Sequence, residues 1–82
     1  MKMKRELTII DQDGGALVFD KSRGIYFQVN MAGAVLIREL INGKSVEELI
    51  AKLETVFSLH HEQATSDVSD FLYMLQKKGV IK

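Results

Sequence analysis

Gly24-Ile25-Tyr26-Phe27-Gln28-Val29-Asn30 is the stretch that decides the fold, because a strand pattern and a helix start meet inside it. Ile25, Phe27 and Val29 point one way and Tyr26 and Gln28 the other, the period of two of a half-buried strand. Asn30 then offers a side-chain oxygen to the first turn of a helix. The chain therefore passes from strand to helix with no loop between them. If the outer edge of that strand is unpaired, the join is a place where an extended peptide docks.

Working back toward the N-terminus, Leu7 to Asp11 reads as a first strand and Ala16 to Asp20 as a second. Gln12-Asp13-Gly14-Gly15 between them supplies the positive-φ residues of a tight hairpin. Lys21-Ser22-Arg23-Gly24 makes the next turn, so Ile25 to Val29 returns antiparallel as the third strand and lies at the edge of a simple meander. Residues 1–6 are expected to be a flexible tail on a single domain spanning 1–82.

Working forward, Ala32, Val35, Leu36 and Leu40 recur at helical spacing until Asn42-Gly43 ends the first helix. Ser45 and Glu48 form a capping box, and Val46, Leu49, Ile50, Leu53, Val56 and Phe57 mark an amphipathic second helix. A third helix runs from His61 to Lys78, where Gly79 stops it and Val80 and Ile81 fold back as an apolar contact. Strands followed by helices make the chain α+β.

Composition narrows the function. Eighty-two residues hold one core but not a core plus a deep walled active site, so catalysis is not expected. Eleven basic and eleven acidic side chains cancel, which disfavours a nucleic-acid partner whose binding draws on net positive charge. With no cysteine there is no disulfide, thiolate nucleophile or zinc-thiolate site, and no cofactor is expected. No apolar run approaches the roughly 20 residues of a membrane span. No signal peptide is evident either, so a cytoplasmic protein without membrane contact is expected.

The third helix carries a second feature. At about 100° per residue, Ala64, Val68, Leu72 and Leu75 form the core stripe, while Asp67, Phe71, Met74 and Lys78 form a row on one shoulder. That row is an apolar patch with an acid one turn before it and a base one turn after. Two readings stay open: Phe71 widens the core stripe and Met74 fills a gap, or the shoulder forms one wall of a groove whose other wall is the edge strand.

Gly24 to Asn30, Gly33, the Gly43-Lys44-Ser45-Val46-Glu47-Glu48-Leu49 segment, Asp67-Val68, Phe71-Leu72, Leu75 and Gly79-Val80-Ile81 together resemble the PqqD-like family. Its members are recognition elements for ribosomally made, post-translationally modified peptides, and the free-standing ones serve lasso-peptide and pyrroloquinoline quinone biosynthesis. The resemblance implies a winged-helix-like domain on which the leader of a precursor peptide adds as a strand to the third strand and packs on the third helix. It also implies delivery to a separate modifying enzyme or leader protease encoded nearby. The candidate peptide-binding residues are Ile25, Tyr26, Phe27, Gln28, Val29, Asp67, Val68, Phe71, Met74, Leu75 and Lys78.

Other motifs read as structural. His60-His61-Glu62 resembles the start of a zinc-protease helix, but the fifth position from His61 is Thr65 and not a second histidine, so no metal site is expected. Asp67 and Asp70 lack the nucleophile or metal of a catalytic pair. The alternatives are a DNA-binding winged helix and a small dimerisation module. The first is opposed by Glu47, Glu48 and Glu54 against Lys52 on the second helix. The second differs from the monomer expected here by its concentration-dependent sedimentation.

Overall fold

The alternation at residues 25–29 produces the strand it implies: Phe27 is buried, Ile25 and Val29 are half-buried, and Tyr26 and Gln28 are exposed. The computed structural model describes residues 6–81. Its elements are β1 (Leu7–Gln12), β2 (Gly15–Asp20), β3 (Ile25–Asn30), α1 (Met31–Ile41), α2 (Val46–Phe57) and α3 (His61–Lys77). The strands form an antiparallel sheet in the order β1-β2-β3, with Val18 opposite Phe27 and Ala16 opposite Val29. This is the expected α+β arrangement, and β3 is an edge. The tail expected over residues 1–6 lies outside the described residues apart from Glu6, whose carbonyl accepts a hydrogen bond from the Lys21 amide at 3.4 Å.

The two turns work differently from one another. In the first, Gly14 alone takes a left-handed backbone, at φ +79°, so the expectation that several residues there need positive φ is corrected. Gly15 is required for a different reason. A Cβ there would collide with the Val29 carbonyl oxygen and stand 3.0 Å from the Asn30 Cα, so only glycine lets β2 and β3 meet at that pair. In the second turn the buried Asp20 organises the chain: its carboxylate accepts from the Ser22 amide at 3.1 Å and hydroxyl at 2.8 Å, and its carbonyl accepts from the Gly24 amide at 2.9 Å. Arg23, at the tip, donates to the Lys78 carbonyl and ties this turn to the end of α3.

One core lies between the sheet and the helices. Val18 and Phe27 from the sheet meet Leu36, Ile37 and Leu40 of α1, Leu49 and Leu53 of α2, and Val68, Phe71 and Leu75 of α3. Two phase readings need correction. Ile37 is buried where Val35 was expected and Val35 is half-buried, because sheet and α2 both cover α1 and turn its buried face onto the next residue. Val56 is in phase with Leu49 and Leu53 yet 47% exposed, since a stripe reports direction and not how far the neighbouring helix extends.

The starts of α1 and α2 and the end of α3 are satisfied by the chemistry their sequence offers, while His60 at the start of α3 makes no side-chain capping hydrogen bond. Asn30 Oδ1 accepts from the Gly33 amide at 2.8 Å. Ser45 and Glu48 complete the capping box, and the hydrogen bonds from the Ser45 backbone and then its side chain hold the Glu48 carboxyl below the usual carboxylate range. α3 closes with the Gly79 amide on the Gln76 carbonyl at 3.0 Å and the Val80 amide on Leu75 at 2.9 Å, a Schellman pattern that ends the helix at Lys77 and drives Val80 and Ile81 into the core. Replacing Asn30 with alanine is expected to lower stability by about 1 kcal/mol in urea unfolding. An unchanged midpoint would mean the cap is dispensable.

Candidate functional site

The site is built from the strand-to-helix join and the helix that crosses it. α3 runs antiparallel to β3, so successive turns of the helix meet successive parts of the join. At one end the Lys78 ammonium sits 5.3 Å from the Phe27 ring centroid, a cation-π contact that covers the buried ring. Next, Met74 and Phe71 face Gln28, Val29, Asn30 and Gly33 across a cavity of about 200 Å³. Past Asn30, Gly33 and Phe71, which it shares, a second cavity of about 300 Å³ continues to Ala32, Leu36, Asp67 and Asp70. The result is a groove open along the outer edge of β3, which no other described strand covers, apolar at its floor and charged at both ends.

Gly33 explains why the groove exists. A Cβ at that position would stand 2.8 Å from Val29 Cβ and 3.1 Å from Phe71 Cε1. Without one, α3 brings the Phe71 ring down onto α1. Phe71 is consequently 9% exposed and a full member of the core, whereas Leu72, expected in the core stripe, is half-buried. The stripe is Ala64, Val68, Phe71 and Leu75: of the two readings open for Phe71, the missing Cβ opposite it makes the ring part of the core stripe as well as a wall of the groove.

The residues singled out from sequence divide into three groups. Gln28, Val29, Asp67, Phe71 and Met74 line the groove together, and Lys78 closes its end. Val68 and Leu75 are fully buried behind it and set its shape without facing it; Phe27 is buried beneath Lys78, and Ile25 is half-buried further along the strand. Tyr26 lies on the opposite face of the sheet, its ring 4.5 Å from that of Phe19, so it offers the groove only its backbone. Sequence reading missed Asn30, Ala32, Leu36 and Asp70 as lining residues. It took Gly33 only as part of a resemblance, although a glycine three residues into a helix is the kind of signal that marks a close packing partner.

His61 Nδ1 lies 2.7 Å from Glu54 Oε2 and links the start of α3 to α2. Among the described residues no three metal-ligating side chains come together. No helix among them is long and apolar enough to cross a membrane.

A family model described as coenzyme PQQ synthesis protein D (PqqD) matches residues 15–81. The fold is similar to that of a solved structure described as TbiB1 in complex with the TbiA(beta) leader peptide, at 23% identity over 100% of this chain and 95% of that one, with a TM-score of 0.85. It is similar also to one described as lasso peptide synthetase B1 complexed with the leader peptide, at 22% identity over 95% of this chain and 92% of that one, with a TM-score of 0.77. No curated protein matches the chain.

Proposed function

The chain belongs to the PqqD family, and from that premise we propose that it binds the leader segment of a ribosomally made precursor peptide and presents it to a separate modifying enzyme or leader protease. The observation that carries the proposal is the outer edge of β3, which no other described strand pairs with, running beside a groove walled by Phe71 and Met74. The two solved structures of similar fold, both described as holding a leader peptide, support it. On this reading the protein acts in the cytoplasm as a monomer and catalyses no step itself.

The mechanism follows from the two surfaces. A leader strand exchanges main-chain hydrogen bonds with the outward groups of residues 25–29, which gives affinity with little sequence demand. Its alternate side chains enter the groove, where the Phe71 ring, Met74 and Val29 offer apolar contact. Specificity therefore resides on the helix side and affinity on the strand side.

The test is amide exchange with leader-only and core-only peptides of the precursor. The outward amides between Tyr26 and Val29 are expected to exchange fast in the unliganded protein and to become protected on adding the leader. Protection by the core peptide alone, or none by the leader, would sink the reading. Met74→Ala supplies the second measurement. Met74 is only half-buried, so its truncation is expected to weaken leader binding by about tenfold in calorimetry, roughly 1.4 kcal/mol, while costing less than that in urea unfolding.

A further inference from the structure

We infer that the far end of the groove selects a leader carrying one arginine or lysine, its aliphatic stem laid on Ala32, Leu36 and Phe71 and its charge between Asp67 and Asp70. The inference rests on the leader-binding reading and adds to it the chemistry of one recognised side chain.

The cavity of about 300 Å³ beyond Asn30 joins an apolar floor to an acidic rim. Asp67 and Asp70 are three residues apart, which puts both carboxylates on one face of α3 within reach of a single ligand group. Some surface acids find cations, Asp11 with Arg38, Glu39 with Lys52 and Glu48 with Lys44, while Asp13, Glu47 and Glu62 pair with none among the described residues. Asp67 accepts only from the neutral Gln63 amide, at 2.8 Å, and no cation pairs with Asp67 or Asp70 among the described residues. Two like charges beside an apolar cavity repel one another, and an occupant that covers them without pairing them pays their desolvation.

Only two side chains combine a long apolar stem with a charged end that stays at the rim, and both are cationic. An aliphatic residue would fill the floor but strip water from the carboxylates, and an acid would be repelled. Arginine suits the rim best, because its planar fork can donate to two oxygens at once. Delivery is direct, since this cavity shares Asn30, Gly33 and Phe71 with the smaller one beside β3. A strand paired along residues 25–29 carries the next part of its chain into it. Lys78 at the opposite end makes the groove dipolar, so the cation belongs at the Asn30 end of the paired segment and not at the Ile25 end.

The experiment selects binders from a displayed library of random 18-residue peptides, using as bait the full wild-type chain and, in parallel, the Asp67→Asn/Asp70→Asn double variant, both checked for the same urea midpoint. Wild-type winners are expected to share alternating apolar residues and one arginine or lysine at a fixed spacing beyond them. Winners on the variant are expected to keep the apolar pattern and lose the cation. Changing that cation to alanine in a winning peptide should weaken binding to the wild type about fivefold, the upper range for an exposed charge pair, and leave binding to the variant unchanged. Apolar winners without a fixed cation, or equal enrichment of the cation on both baits, would overturn the charge inference and leave strand addition standing. Failure of the wild-type bait to enrich any peptide that protects the Tyr26 to Val29 amides would overturn both.

Discussion

Phe71→Ala is expected to remove roughly 3–4 kcal/mol of folding stability, the scale for emptying an aromatic site in a core. An 82-residue domain has a total stability of only about 4–12 kcal/mol, so this one substitution takes a large share of it. Leader binding should fall with it, because the same ring fills the core and walls both cavities. Phe71→Leu separates the two roles. It restores much of the buried volume and should recover most of the urea midpoint, while the flat wall that the ring presents is gone and calorimetry should still show weakened binding. A Phe71→Ala protein that unfolds at the wild-type midpoint would mean that the ring is not packed against Gly33 as described.

The second large effect is expected at Gly15. Gly15→Ala puts a methyl group against the Val29 carbonyl and the Asn30 backbone, and backbone cannot swing aside as the end of a flexible side chain can. The pair Gly15 and Asn30 must part, at a cost of about 3 kcal/mol, the upper part of the usual range for overpacking. Its neighbour is the control. Gly14→Ala meets nothing within 4 Å and suffers only from its left-handed backbone at φ +79°, for about 1–2 kcal/mol. Thermal or urea melts of the two variants check the order, and equal losses would show that the strands do not approach as closely at Gly15 as described. Exchange at the Asn30 amide should rise in Gly15→Ala and not in Gly14→Ala.

Which parts of this were legible in sequence depends on how local the cause was. The alternation in residues 25–29, the Asn30 cap, the Ser45 and Glu48 box and the Gly79 stop each rest on a few adjacent residues, and all stand in the structure. Helical phase was legible to within one residue. The errors at Val35 and Ile37, and at Leu72, came from neighbours that a single helix cannot reveal: the covering of α1 from two sides, and a glycine on α1 that admits the Phe71 ring from α3 in place of Leu72. The groove was half legible. Strand parity and the row from Asp67 to Lys78 gave its walls, but its floor at Ala32, Gly33 and Leu36 comes from a helix that had been read only for its core-facing residues. The role of Asp20 was hidden for the same reason, since its burial depends on the turn folding back over it.

The absence of any loop between β3 and α1 bears on the entropy of recognition. Asn30 ends the strand, pairs with Gly15 and caps the helix with its own side chain, so on the proposed reading the edge that would receive the peptide and the floor beneath the groove are joined without a loop. Little of the protein remains to be ordered when a ligand arrives. The ordering cost of binding then falls almost wholly on the incoming chain, which must give up its unfolded freedom to become a strand. Affinity is for that reason governed by the peptide's own preference for extended backbone as much as by its side chains. Leaders rich in β-branched residues along the paired segment gain an advantage that no contact map of the protein displays.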